Sequence, residues 1–413
     1  MAGRVLAIHI LETFMLRAGS FALTILLAAL SAVGPLTTDM YLPSLPDIAR
    51  QLGASTAQVQ LTLSAYLIGF ALGQIFYGPI ADRHGRRPVL IGALTLYCLA
   101  SLACALSTSV EMLIVARFVQ GVGGSGGIVL ARAVVRDLYT GVRAGRELSI
   151  IGSVTGVAPV LAPIAGGLLQ SAFGWRAIFI TLVIAGVMGV TVVWLIFQET
   201  LRERAADRVS PRSMFQAYRI VVRHPAYLAY LALATTSYAG LFAWISGASF
   251  VLQNLYGLNP FNFGIAFAVG SLGYIFGAML SARLVVRIGV DGTLGVGAAM
   301  LALGGVGMVA TIAFGLKSPF LLVLPVSIYL AGLGTLLPQA IAGAMGPFPD
   351  RAGAASSLLG FIQQSAAAIC GALVGWLLGA NAWPLAAAVA SMGCATLAIW
   401  LLTRRIRAGV HKI

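Results

Sequence analysis

The chain has 413 residues, 59 % of them hydrophobic and only 9 % charged, with 49 glycines. That composition excludes a string of water-soluble domains, because lipid is the natural solvent for most of such a chain. A net charge of +14 would suit a phosphate-binding surface, but the placement of the charges, taken up below, excludes nucleic acid as the partner.

A helix needs about 20 apolar residues to cross a hydrocarbon core of roughly 30 Å. Twelve such spans are predicted: 21–43, 57–81, 89–107, 110–131, 148–172, 177–198, 226–252, 261–282, 292–313, 319–345, 354–378 and 383–402. Glycine and proline inside them are tolerated where neighbouring helices or a cavity satisfy the freed backbone groups. Ahead of the first span, Glu12 and His9 interrupt what superficially resembles a signal peptide. Met15 is as sensible a start as Met1, and residues 1–14 are expected to be dispensable or poorly ordered.

With the N-terminus in the cytoplasm, the cytoplasmic segments hold 22 of the 26 Lys and Arg residues. The outer segments hold Arg50, Arg176 and Lys317, and Arg117 lies within a span. This bias places both termini inside.

Cys98, Cys104, Cys370 and Cys394 fall within apolar spans without metal-ligand spacing and read as small core residues. The four histidines lie outside the spans and show no ligand spacing. No zinc motif, phosphate loop, nucleophile elbow or carboxylate pair appears, so neither an enzyme nor a cofactor site is expected.

The longest charged interruption, near Glu199–Pro225, follows the sixth span. The predicted organisation is a cytoplasmic segment at 1–20, a six-helix half at 21–198, a cytoplasmic linker at 199–225, a second six-helix half at 226–403 and a cytoplasmic tail at 404–413. At an offset of 200 residues the halves match at Leu72 and Leu272, Gly73 and Gly273, Ile75 and Ile275, Phe76 and Phe276, Arg83 and Arg283, and Arg87 and Arg287. Parallel repeats would leave such a match and a binding site near the midplane between the halves, and chance similarity between apolar spans is the alternative.

Between the second and third spans stands Gly78-Pro-Ile-Ala-Asp82-Arg83-His-Gly85-Arg86-Arg87. Gly85 allows a tight turn, the arginines hold the loop inside, and Asp82 can face the positive N-terminal end of a neighbouring helix. In span five, Pro159, Pro163, Gly166 and Gly167 with Ala158 and Ala162 give close helix contact and two freed carbonyls. Asp39 in span one and Arg117 in span four are ionisable groups inside the membrane, which is costly and a functional signal by default. At 1.5 Å per residue they sit roughly 6 and 10 Å from the outer ends of their spans, deep enough to meet. A proton-coupling pair and a static ion pair both fit that geometry. Arg132 and Arg136 read as interfacial anchors.

The Gly78–Arg87 loop resembles the signature loop of the major facilitator superfamily. That resemblance implies a latch that joins the two halves at their cytoplasmic face and favours the outward-open state, with span eleven near Gly353 as its partner. Ala282 stands where the second copy would need Asp82, so the latch is expected to be asymmetric. The span-five pattern is similar to the antiporter motif of drug exporters, although Ala158 and Ala162 replace glycines, and Arg117 with Gln120 and Gly121 resembles the span-four motif tied to proton coupling.

Thr38 to Pro46, Arg136-Asp137, Ala162 to Gly167, Phe250 to Gln253 with Tyr256-Gly257, and Gly353 to Ser356 together resemble the bicyclomycin and chloramphenicol resistance (Bcr/CflA) branch. The likeness implies an all-α membrane protein of twelve transmembrane helices in two halves, a monomer of the bacterial inner membrane that exchanges protons for small, mostly uncharged or cationic antibacterial compounds. Drug pockets are apolar and aromatic with few polar groups. Tyr41, Gln74 and Gln120 from the first half, and Tyr238, Phe242, Trp244 and Phe250 from the second, are the candidates for its lining, with ordinary packing as the alternative for each. A nutrient or metabolite transporter remains the nearest rival, since fold fixes neither direction nor cargo. In a non-transporting receptor, the intramembrane Asp and Arg would lack a purpose.

Overall fold

The computed structural model describes residues 20–139, 141–201, 211–315, 318–348, 351–379 and 381–408. Residues 1–19 lie outside them, and with them the expectation for residues 1–14, as do 202–210 of the linker and 409–413 of the tail.

Eleven helices among the described residues are long and apolar enough to cross a membrane. One of them, Pro260–Ala313, is a 54-residue run, about 80 Å at 1.5 Å per residue and too long for a single crossing. It breaks at Gly289, whose φ of 72° lies in the left-handed region that glycine enters without steric cost. Two crossings result, and the total among the described residues is twelve. They are α1 Phe21–Asp39, α2 Thr56–His84, α3 Arg86–Ala105, α4 Val110–Leu138, α5 Gly141–Phe173, α6 Trp175–Ile196, α7 Pro225–Phe250, α8 (260–288), α9 (290–313), α10 Pro319–Met345, α11 Ala352–Leu377 and α12 Trp383–Leu402. No strand occurs among the described residues.

Local chemistry sets several of these ends. Ser55 and Gln58 form a reciprocal capping box at the start of α2, satisfying backbone donors that an apolar helix end leaves free. The Ser20 hydroxyl accepts from the Leu23 N–H at the start of α1. The first helix stops at Asp39 rather than near residue 43. Pro43 and Pro46 follow, and the chain continues as a 3₁₀ turn Leu42–Ser44 and a short helix Leu45–Gln51. The linker is not featureless: it contains a 12-residue helix, Pro211–Val222, whose Val221 is buried. The tail also begins with structure, because Arg407 in the short helix Arg404–Ala408 is buried and lies 2.7 Å from Asp291.

Within the first half α4 packs on α2 and α3, α1 on α5, and α3 on α6; in the second, α10 packs on α8 and α9, and α12 on α7 and α9. The halves meet along α2 with α11 and along α5 with α8. The internal repeat is visible in the packing. A Cβ on Gly73 would collide with Ser125 of α4, and one on Gly273 with the Ser327 carbonyl of α10. Phe76 and Phe276 face outward to nearly the same degree, 57 % and 61 % exposed. Cys98 and Cys104 are buried, whereas Cys394 is exposed on α12, so the reading of all four cysteines as core residues fails for that one.

Candidate functional site: the central cavity and its two ends

The helices run between an arginine-rich end, with Arg83, Arg86, Arg87, Arg143, Arg283, Arg287 and Arg351, and an arginine-poor end, with Arg50 and Arg176. A cavity of about 660 Å³ lies between the halves, within the range that holds drug-sized molecules. Its deep end is formed by Asp39, Tyr66 and Phe267, and it reaches Arg132, Leu148, Ile341 and Ser356 near the arginine-rich helix ends.

At the opposite end the halves are tied together. Ser249 Oγ donates to the Leu42 carbonyl at 2.6 Å and Gln253 Nε2 to the Pro43 carbonyl at 3.0 Å. Gln60 Nε2 donates to the Ser246 carbonyl at 2.8 Å, and Ser64 Oγ to the Ala368 carbonyl at 2.9 Å. The small-residue face of α5 completes this seal. Side chains on Gly166, Gly167 and Gly264 would meet the backbones of Met40, Pro260 and Pro163 respectively. Within the span-five pattern Pro163, Gly166 and Gly167 therefore serve the contacts of α5 with α1 and α8, while Pro159, also inside the helix, lines the cavity. Ala158 and Ala162, where glycines were expected, are buried as well.

Asp39 ends α1 and lines the cavity, where its Oδ1 lies 3.1 Å from the Thr38 hydroxyl. Arg117 is fully buried in α4. Its guanidinium carbon lies 4.5 Å from the Tyr41 ring centroid, 4.4 Å from that of Tyr66 and 5.8 Å from that of Phe179. One nitrogen donates to Gln120 Oε1 at 2.6 Å, and Gln120 in turn donates to Ser101 Oγ at 2.8 Å. The other two, Nε and Nη2, have no partner among the described residues.

The expected Asp39–Arg117 ion pair is therefore not formed. Aromatic faces attract a desolvated guanidinium through their quadrupoles, and they hold Arg117 behind Tyr66 while Asp39 faces the cavity. Tyr41 and Gln120, expected in the cavity wall, belong instead to this shell. Trp244 and Phe250 are also buried away from the cavity, Trp244 stacked 6.5 Å from the Phe267 ring. Gln74, Tyr238 and Phe242 do line it. Tyr66, Phe70, Tyr274, Gln363 and Gln364 line it as well, with no sequence motif to mark them. Arg132 also lines it, correcting its reading as an interfacial anchor.

The Gly78–Arg87 loop is organised inside its own half. Arg86, 2 % exposed, lies 2.6 Å from Asp82 and 2.7 Å from Asp137. The Glu199 carboxylate accepts from the backbone N–H groups of Arg86 and Arg87 at 2.8 and 3.1 Å, capping α3, and Arg87 donates to the Trp194 carbonyl. Gly85 makes the turn with φ of 100°. Gly78, by contrast, has open space where a Cβ would stand. Arg83 is exposed. Among the described residues no hydrogen bond or ion pair joins this loop to α11, the expected partner: Asp82 is engaged by Arg86, and a Cβ on Gly353 would meet nothing within 4 Å.

Two six-helix halves around a cavity sealed at one end and reaching the other define a membrane transporter rather than an enzyme. The chain matches the Major Facilitator Superfamily over residues 27–369 and belongs to that family. It is 36 % identical over 365 residues to an uncharacterized MFS-type transporter, YdgK, of Bacillus subtilis, covering 86 % of this chain and 88 % of that protein. It is 30 % identical to a bicyclomycin resistance protein homolog of Haemophilus influenzae and 31 % identical to multidrug resistance protein D of Escherichia coli, each over 94 % of this chain and 97 % of the relative. Among solved structures, a peptide transporter POT in complex with sulfate superposes with a TM-score of 0.75 at 16 % identity, over 98 % of both chains. At that identity it shows the fold alone.

Proposed function

We propose that this protein exports small antibacterial or other amphipathic compounds across the bacterial inner membrane in exchange for protons. The observation that carries the reading is the cavity itself. Among the described residues lining it, Asp39 is the one carboxylate, at the sealed end of a chamber otherwise mostly apolar. A sugar, or a cargo whose charges are all carboxylates, would be expected to meet more polar and cationic groups than this lining offers, where Arg132 is the one cation among the described residues. The printed names of relatives, bicyclomycin resistance protein homolog, multidrug resistance protein D and chloramphenicol resistance protein, support cargo of the antibacterial kind.

The arginine-rich end faces the cytoplasm by the positive-inside rule, with both termini inside and the protein acting as a monomer among membrane lipids. In the present conformation the cavity then serves the cytoplasm and the hydrogen bonds of Leu42, Pro43, Ser246 and Ala368 close the periplasmic side. Drug enters while Asp39 is ionised. The halves rock, the outer seal opens, and Asp39 meets the more acidic periplasm. Protonation removes the carboxylate charge facing the drug, the drug leaves, and the returning protein carries the proton in. Arg117, held behind Tyr66, supplies a fixed positive charge near this step. The Asp82 loop engages α11 when the cytoplasmic side closes. Only a difference in affinity between the two states can drive the cycle.

The test is proton release or uptake by purified protein on addition of chloramphenicol and other antibacterial compounds, wild type beside Asp39→Asn. Drug-dependent proton exchange that disappears in the variant is the expected result. Exchange that persists unchanged removes Asp39 from the cycle, and no exchange with any compound transfers the weight to a metabolite transporter.

A further inference from the structure

The wall of the cavity carries two polar features at opposite ends. At the deep end stand acceptors. The Asp39 carboxylate has the Thr38 hydroxyl beside it, but that hydroxyl has one proton and also lies 2.9 Å from the Pro35 carbonyl. Gln364, also in the wall, has a buried Oε1 with no hydrogen-bond donor among the described residues. Toward the arginine-rich end stands Arg132, exposed in the cavity and without a carboxylate at ion-pair distance among the described residues. Glu147, on the neighbouring α5, instead accepts from Thr24 at 2.6 Å. Between the two ends the wall is mostly apolar, with Leu67, Phe70, Leu241, Phe242 and Leu333, interrupted by the uncharged polar groups of Gln74, Tyr238, Tyr274 and Gln363.

The separation of the two charges follows from the packing. A Cβ on Gly127 would collide with the Leu30 carbonyl, so α1 and α4 are level at that pair. From there Asp39 lies nine residues toward the sealed end and Arg132 five residues toward the arginine-rich end, together about 21 Å at 1.5 Å per residue. Helical Cα–Cβ bonds tilt toward the helix N-terminus, and α1 and α4 run in opposite directions, so the two side chains lean toward each other. The length of an arginine side chain shortens the gap between the charged groups, measured along the helix axes, to roughly 13 Å. That is the length of a small drug.

We infer that the preferred cargo is a dipolar compound, with an amine or another hydrogen-bond donor at one end, an acidic group at the other and an apolar body between them. The donor end meets Asp39 and Gln364, and the acidic end meets Arg132, whose planar guanidinium suits a carboxylate. This deepens, and rests on, the reading of the cavity as the drug site. Arg132 is the residue that separates such compounds from simple amphipathic cations, which leave its charge unanswered.

Equilibrium dialysis of the purified full chain tests this with two radiolabelled probes. They are the rigid aminomethyl-biphenylcarboxylic acid bearing its two groups at opposite para positions, and its methyl ester, which keeps the amine and loses the anion. Wild type should bind the acid several-fold more tightly than the ester. In Arg132→Gln the acid-to-ester affinity ratio should fall about tenfold, and Arg132→Lys should restore part of it. An acid-to-ester ratio that is the same in wild type and Arg132→Gln, including equal loss of both probes, overturns the inference. Transport of the same probes into inverted vesicles is scored separately. Binding with the predicted ratio but no proton-driven accumulation would sink the exporter reading and leave the dipolar site standing.

Discussion

Tyr66 stacks on the Arg117 guanidinium, 4.4 Å from its carbon to the ring centroid, and the same side chain lines the cavity that holds Asp39. The buried cation and the cavity carboxylate thus meet through an aromatic ring and not through an ion pair. A cation–π contact of a desolvated guanidinium is worth about 2 kcal/mol, and two nitrogens of Arg117 have nothing else among the described residues. Tyr66→Phe, which keeps the ring, should therefore retain the melting temperature of the detergent-solubilised protein and most of its transport activity. Tyr66→Leu should lower the melting temperature by several degrees and cut transport sharply. Equal behaviour of the two variants would show that the ring does not matter to Arg117.

Arg86 is the structural centre of the loop between α2 and α3. It is almost completely buried and bridges Asp82 and Asp137. Truncating one partner of a buried ionic cluster leaves the others uncompensated, at a cost of about 3–5 kcal/mol. Arg86→Ala should therefore reduce thermal stability far more than Arg83→Ala, whose side chain is exposed. Differential scanning fluorimetry of the pair decides the matter, and similar losses would mean that the loop depends on its total charge.

Much of the architecture is legible in the chain because the hydrocarbon core imposes a length on every crossing. The ends of α10 and α12 fall where hydropathy puts them, at 319–345 and 383–402. Hydropathy misses the end of α1, because Pro43 and Pro46 shape a buried segment that is itself apolar. The cavity is less legible in the chain. Tyr66, Phe70 and Gln74 share one face of α2 by their spacing, and Phe267, Ser271 and Tyr274 share one face of α8, yet the same period describes a face packed on a neighbour. Which face is open depends on how the halves sit together, and that is a tertiary property. Trp244 and Phe250 have the side-chain type of a drug pocket, but rotation about α7 turns them into the packed core. Arg132 looked like an anchor because it lies near the end of α4. Only the cavity reaching that end gives it another role.

Backbone contact between α5 and its neighbours makes a prediction about volume. Side chains added at Gly166 or Gly264 would meet carbonyl groups of Met40 and Pro163, which cannot rotate aside as side chains do. Gly166→Val and Gly264→Val should each cost about 2–3 kcal/mol by overpacking and abolish sealing of the arginine-poor end. Gly92→Ala, in α3 with open space at its Cβ, should leave stability equal or slightly raised, since alanine is the better helix former by about 1 kcal/mol. Thermal melts of the three variants check this, and a Gly166→Val protein as stable as wild type would mean the helices can separate there at little cost.

The seal at the arginine-poor end predicts a measurable shift between conformations. Ser249 and Gln253 hold the carbonyls of Leu42 and Pro43 across the two halves, and Gln253 also donates to Ser249 Oγ at 2.8 Å. Neither contact survives if the halves part at this end, so both stabilise only the sealed state. At about 1 kcal/mol for each hydrogen bond, Ser249→Ala with Gln253→Leu should move the equilibrium toward opening by about 2 kcal/mol, roughly thirtyfold in the population ratio. Spin labels at the exposed positions Thr108 and Asn381, one in each half near this end, should report a new population at longer distance in the double variant. The cysteines at 98, 104, 370 and 394 would be replaced beforehand so that only the two labels react. A distance distribution identical to that of the parent would show that the apolar and glycine contacts of α5 with α8 close this side by themselves, with the hydrogen bonds adding little.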